Sequence, residues 1–326
     1  MVAEIPMVDV VGVGLNATDT LIRLPHFPAF DSKVEFISTE VCPGGQVASA
    51  MVACQSWGLR TRYVGKVGDD SAAELQRREF ARAGLEAHLL EVAGCTSQVA
   101  FILVDQASGE RTILWKRDAR LALRPEELQR DWVVRARALH VDGHDTPAAA
   151  RAARWAREAG IVVTADVDNL YPGVEALLEN VDHLLASRDF PARLTGETHL
   201  LKSLPAIRGR YGCRVTGVTL GREGALAWDG EQFHYSPGYR VEAVDTTGAG
   251  DIFHGGFVYA LLQGWPLSLQ LDFACAAAAL NCTAVGARAG IRPVAEIERL
   301  VREGDRHPAA YSQAELHRAR TISRTT

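Results

Sequence analysis

The run Val8 to Val13, VDVVGV, is almost uninterrupted β-branched sequence. Runs of the same kind recur at Arg62 to Val67, Ala138 to Val141, Ile161 to Ala165, His183 to Ala186 and Val215 to Leu220. Runs without polar alternation suit strands covered on both faces, as in a parallel sheet. Helical stretches lie between them: Ser71 to Ala83 stops before Gly84, and Pro147 to Ala159 before Gly160, glycines suited to a left-handed helix end. The alternation predicts an α/β fold, a doubly wound and mostly parallel sheet with helices on both faces.

Two segments break the rhythm. Asp19 to Glu40 and Ser97 to Trp115 are rich in alternating Thr, Val, Ile and Phe, and the second contains the turn-like Ala107-Ser108-Gly109. They are expected to form antiparallel strands outside the main sheet, a small β-sheet lid inserted from about 15–42 and 96–118 into a single domain of 326 residues. Ordinary edge hairpins are the plainer alternative. The polar, basic segment 303–326 reads as a frayed or loosely helical tail.

With 47% hydrophobic and 23% charged residues the chain can bury a large core. A net charge of -5 offers no electrostatic footprint for nucleic acid or an anionic membrane, so an anionic ligand must be held by local groups. The cysteines, Cys42, Cys54, Cys95, Cys213, Cys275 and Cys282, show no C-x-x-C pair or zinc-like spacing and suit free thiols in a reducing compartment. The N-terminus lacks the basic start of a signal peptide, and the apolar segment Ala274 to Leu280 is too short to span a bilayer. Cytoplasmic residence is the expectation.

In 243-AVDTTGAGDIFHGGFVYALL-262, Gly248 and Gly250 let successive amides point one way at the start of an apolar helix. That arrangement makes an anion hole, aided by the helix dipole. Asp251, beside the hole, could take a proton from a hydroxyl attacking the bound anion. From these residues alone it could equally be a first-turn carboxylate favoured by the dipole.

The string Asp245-Thr246-Thr247-Gly248-Ala249-Gly250-Asp251, with Phe253 and Gly255-Gly256, resembles the second signature of the ribokinase-like (PfkB) carbohydrate kinases. The resemblance extends in the family's motif order over roughly Val8 to Ile291. It implies Asp251 as catalytic base and the amides of Gly248, Ala249 and Gly250 as stabilisers of the transferring phosphoryl group. It also implies that Gly44-Gly45, in 43-PGGQVASAMVACQSWGLRTRYVGKVGDD-70, lies at the sugar, with Ser49 where the family usually has asparagine. Asp19, at the end of 12-GVGLNATD-19, corresponds to the aspartate that grips sugar hydroxyls. Thr219, Gly221 and Gly224 would border ATP, and 273-FACAAAALNCTAVGAR-288 would be the helix closing over adenine, with Cys275 where asparagine or histidine is frequent.

One family motif is eroded. In 186-ASRDFPARLTGE-197 the N-x-x-E that helps place magnesium has Ser187 for asparagine and Phe190 for glutamate, leaving Asp189 as the nearby carboxylate able to act through water. The resemblance further implies a monovalent cation, potassium, near Asp245 and Thr247, and a homodimer through the lid. Arg111 resembles an arginine that ketohexokinase-like members place near ligand, and Asp142 ends a strand where α/β proteins bind ligands. Arg111, Arg117 and Arg120 together would suit a sugar bearing phosphate or sulfonate, or simply a solvated strand face.

The expectation is an ATP- and magnesium-dependent sugar kinase acting on a ribose- or ketohexose-like acceptor. The alternatives are a nucleoside kinase of the same superfamily, a nicotinamide-dependent oxidoreductase, and a non-catalytic binding protein. Gly12, Gly14 and Ala17 fit a G-x-G-x-x-A fingerprint, but Thr18, Thr20, Pro25 and Pro28 do not open the helix it requires.

Overall fold

Strand β1 (Val8–Val13) lies inside a nine-stranded sheet, third from one edge. In the computed structural model the described residues are 6–107 and 111–323, so Ser108-Gly109 of the expected turn lies outside them. After β1 the chain forms β2 (Ala17–Leu24), β3 (Ser38–Gly44), β4 (Thr61–Val67), β5 (Glu86–Glu91), β6 (Val99–Asp105) and β7 (Arg111–Lys116). It then forms β8 (Ala136–Asp142), β9 (Val162–Val167), β10 (His183–Ser187), β11 (Val215–Thr219), β12 (Ala225–Trp228) and β13 (Phe233–Ser236). The large sheet has the order β13-β12-β11-β10-β9-β8-β1-β4-β5, parallel from β5 to β11 and antiparallel at β12 and β13.

The unbroken apolar runs follow from burial on both faces. Val11, Val13, Leu139, Val141 and Val163 pack against Ala148, Ala149 and Ala152 of the helix Thr146–Glu158. Val10 and Ala138 face the other way, toward Val47, Ala50 and Met51 of the helix Gln46–Ser56. Local signals also hold: Asp70 caps the helix Ser71–Ala83 by accepting from the Ala73 amide at 3.0 Å, and Gly84 ends it at φ 71°. Strand β5 escaped the sequence reading because Glu86, His88 and Glu91 interrupt its apolar residues.

The expected lid is a separate four-stranded sheet, β3-β2-β6-β7. It is mixed rather than wholly antiparallel: β2 and β6 run parallel, while β3 and β7 flank them antiparallel. Two long-range segments meet at its centre, a pairing that alternation within either segment could not specify. Of the two expectations for the tail, frayed or loosely helical, the structure shows a helix, and a docked one. The helix Gln313–Ser323 docks with Leu316 buried among Leu201, Leu204 and Trp228, and the Tyr311 ring lies 5.3 Å from Tyr235.

Candidate active site

The parallel strands end along one edge, and the chain order turns there: from β1 it proceeds to β4 on one side and β8 on the other. Open α/β sheets leave a crevice at such a switch point. Strand β2 starts at Ala17, so no helix follows Gly12 and Gly14, which removes the dinucleotide-binding reading.

Gly248 has φ 74°, and a Cβ there would collide with the Ala287 carbonyl, so the turn into the helix Ala249–Leu262 needs glycine. Gly250 differs, because a Cβ there would meet only open space. Asp245 Oδ1 accepts from the Thr247 amide (2.9 Å) and hydroxyl (2.8 Å), while Oδ2 accepts from the Gly286 amide (2.8 Å). Asn281 Nδ2 donates to the carbonyls of Thr247 (3.2 Å) and Ala287 (3.1 Å). The loop is therefore fixed before any ligand arrives, with the amides of the first helical turn and the positive end of the dipole at its mouth.

Asp251 lies in that first turn. Its carboxyl is raised to about 7, by burial foremost and then by the carboxylates of Asp166 and Asp19, with His254 and Arg288 opposing them. A carboxylate so placed is matched to accepting a proton near neutral pH. Asp19 is pushed up to about 6, again mainly by burial. Its carboxylate lies over Gly44, where any Cβ would collide with Oδ2. Neither Asp19 nor Asp251 has a side-chain hydrogen-bond partner among the described residues, so both can accept from a ligand.

Beneath this pair, Asp166 is buried and takes His254 Nε2 at 3.2 Å and Gln46 Nε2 at 3.3 Å. Burial would raise Asp166, but the neighbouring histidines, His254 foremost, hold it below the usual carboxylate range.

Arg288 was absent from the expected site. The helix thought to run through 288 ends at Asn281, and the chain beyond it loops back to the sugar side. There Arg288 donates from Nε to Ser49 Oγ (3.1 Å) and from Nη2 to the Gly44 carbonyl (2.7 Å). Burial lowers its guanidinium to about 10, against the pull of Asp251 and Asp19. A loop arginine far along the chain carries no periodic signal, so only the fold joins it to Ser49.

Asp142 reaches the site's edge in a scaffolding role. Its Oδ2 accepts from the Leu15 amide (2.7 Å) and its Oδ1 from the His144 amide (3.0 Å), which holds the loop between β1 and β2. Two of the three lid arginines are likewise committed: Arg117 pairs with Asp145 at 2.6 Å, and Arg120 with Asp118 at 2.7 Å. Arg111 alone of the three reaches the glycine loop, where it donates to Thr246 Oγ1.

Farther along the edge, Thr219 ends β11, Gly221 opens a short 3-10 turn, and Gly224 leads into β12. Cys275 donates to the Ser236 carbonyl at 3.9 Å, and burial pushes its thiol up to about 12, so it stays a neutral group. Ser187 Oγ donates to the Asp168 carbonyl at 3.0 Å, and Asp189 is exposed beside it. Phe190, at the motif's glutamate position, is wholly buried in the core and cannot serve a metal.

No group of three or more His, Cys, Asp or Glu residues suited to a metal occurs among the described residues. Asp189 is the exposed carboxylate next to the eroded motif. At the position expected for potassium, the Asp245 carboxylate and the Thr247 hydroxyl brace the loop through their own bonds. No helix among the described residues is long and apolar enough to cross a membrane.

The profile of the pfkB family carbohydrate kinases matches residues 7–293. The chain is 30% identical over 287 residues to an ATP-dependent ribose-1-phosphate kinase of Halopiger xanaduensis, covering 86% of this chain and 94% of that protein. It is 31% identical over 267 residues to an aminoimidazole riboside kinase of Salmonella typhimurium, covering 76% and 83%. The fold superposes on a ribokinase of Thermotoga maritima with TM-score 0.79 at 24% identity, covering 91% of this chain and 100% of the other. The chain belongs to the pfkB family of carbohydrate kinases.

Proposed function

We propose that this kinase transfers the γ-phosphoryl group of magnesium-bound ATP to a hydroxyl of a small carbohydrate of ribose or ketohexose type. The observation that carries the reading is Asp251, a half-buried residue whose carboxyl is raised to about 7 in the helical turn that begins with the amides of Gly248, Ala249 and Gly250. Asp19 and the Gly44-Gly45 backbone hold the acceptor, and Asp251 takes the proton of its reacting hydroxyl. That oxygen forms a bond to the γ-phosphorus, the bond to the β,γ-bridging oxygen breaks, and ADP leaves. The amide cradle stabilises the charge on the phosphoryl oxygens.

Magnesium, when bound, supplies further neutralisation of the phosphates. ATP would run along Thr219, Gly221 and Gly224 toward the cradle, with Ser187 and Cys275 at its border. Potassium is assigned no step. With Arg117 paired to Asp145 and the exposed Arg120 paired to Asp118, an acceptor carrying phosphate or sulfonate has less support than a neutral sugar.

A nucleoside acceptor remains a second reading because of Trp115. Pairing register puts Cys42, Asp19, Ala100 and Trp115 in one row across the inner face of the lid, and the Trp115 side chain is 63% exposed. A flat base could stack on it. On the opposite face Val41, Thr20, Phe101 and Leu114 form another row, with Val41 59% and Leu114 54% exposed. That apolar stripe supports pairing of two lids in a homodimer.

The test is ADP release with magnesium-ATP and a panel of ribose, fructose, ribose 1-phosphate and adenosine. Turnover restricted to free sugars supports the first reading, and turnover restricted to adenosine supports the second. No phosphate transfer to any acceptor would sink both.

A further inference from the structure

We propose that Arg288 is a specificity-determining residue of the acceptor site, donating from Nη1 to a neutral oxygen of the sugar next to the hydroxyl that is phosphorylated. The proposal rests on the kinase reading above and concerns how this chain replaces an asparagine it does not have.

Ser49 is fully buried on the helix that follows Gly44-Gly45, and its side chain is too short to reach past its own backbone into the site. The guanidinium of Arg288 comes to it from the other end of the chain. Nε is bonded to Ser49 Oγ at 3.1 Å and Nη2 to the Gly44 carbonyl at 2.7 Å, so the planar fork is clamped at two points. The remaining nitrogen, Nη1, is buried and has no hydrogen-bond partner among the described residues. A clamped donor left unmet beside a ligand site is a group awaiting an oxygen.

The neighbours say what kind of oxygen. Arg288 feels the charges of both Asp251 and Asp19, the two carboxylates free to accept from a ligand. A guanidinium can only donate and a carboxylate can only accept, so together they bind a hydroxyl through both its lone pair and its proton. Asp251 and Asp19 both act on the guanidinium through their charge, as Tyr63 and Glu79 do. An anionic oxygen placed there would meet net negative charge, whereas a ring, keto or hydroxyl oxygen would not. A charged substituent elsewhere on the acceptor is compatible with this arrangement.

The test uses the full-length protein, with initial rates for ribose, fructose, ribose 1-phosphate and adenosine, and calorimetric titration of the same compounds. The variants are Arg288→Gln, Arg288→Lys and the double change Ser49→Asn with Arg288→Gln. Loss of one such donor should raise the KM of the preferred acceptor about tenfold in Arg288→Gln, with the KM for ATP within about twofold of wild type. The lysine variant keeps the charge but loses the fork and falls between the two, and the double variant recovers acceptor affinity by supplying an amide from position 49.

An unchanged acceptor KM in folded Arg288→Gln overturns the proposal, as does an equal rise in the KM for ATP. If the glutamine variant does not fold, an unchanged acceptor KM in folded Arg288→Lys overturns it instead. A loss confined to ribose 1-phosphate overturns the neutral-oxygen assignment. A wild type that binds none of the panel overturns the inference and the kinase reading together, whereas phosphorylation with indifferent variants overturns the inference alone.

Discussion

The Gly286 amide donates to Asp245 Oδ2 at 2.8 Å, and this bond ties the glycine loop to the loop that carries Arg288. Because Asp245 also holds Thr247 through two bonds, one buried carboxylate sets the spacing between the phosphoryl cradle and the acceptor side. Asp245→Ala should cost about 1–3 kcal/mol of stability by leaving buried amides unpaired. It should also lower turnover in the fraction that remains folded. Urea unfolding alongside steady-state rates checks both, and a variant with wild-type midpoint and rate would refute the tie.

Replacing Asp251 by Asn removes the proton acceptor and little else. Turnover should fall by about 10²–10⁴, with nucleotide affinity within about twofold. ATP titration and single-turnover transfer separate the two effects. Undiminished transfer would remove Asp251 from the mechanism.

The rate should depend on pH through the same group. The base must be ionised, so kcat/KM for the acceptor should fall about tenfold per unit of pH below a limb near 7. Stability runs the opposite way. The folded carboxyl at about 7 holds its proton more tightly than the unfolded one at 3.8, so this site's contribution falls as pH rises between those values. Asp251→Asn should therefore melt above wild type at pH 8 and lose that advantage by pH 4. Thermal unfolding at the two pH values decides it.

The two loop glycines should respond differently to alanine. Gly248→Ala forces a side chain into positive φ and against the Ala287 carbonyl, at a cost of about 1–3 kcal/mol. Gly250→Ala meets open space, so stability should stay within about 0.5 kcal/mol. A drop in turnover in that variant would then report the methyl's position in the phosphoryl path. Equal melting losses in both would contradict this account of the loop.

Leu316 secures the C-terminal helix against Leu201, Leu204 and Trp228. Leu316→Ala should destabilise by about 2–4 kcal/mol, readable in denaturant midpoint, as a buried large-to-small change does. A frayed tail would give no change.

Strand runs such as Val8 to Val13 and the helix Ser71–Ala83 were legible because burial on two faces, an aspartate cap and a terminal glycine act within a few residues. Less legible was β5, whose charged residues at an edge strand hide its pairing with β4. The site divides along the same line. Gly248 and Asp251 announce themselves within one turn, whereas the bonds of Asp142 to the Leu15 and His144 amides leave no local signal. Phe190 likewise showed only as a missing glutamate, and its burial in the core shows what the position does instead.

By itself, then, the amino-acid order determined the alternation of buried strands and helices, and it determined the local chemistry of the glycine loop with its first-turn aspartate. Both arise from contacts between near neighbours. Only the tertiary structure decided that the lid's centre is a parallel pair, that Asp245 braces the loop, and that Arg288 stands beside Ser49 with one nitrogen unmet among the described residues. Those facts join residues up to 239 positions apart. Hydrogen bonding and burial between such distant groups are set by chain crossing, which no local pattern encodes.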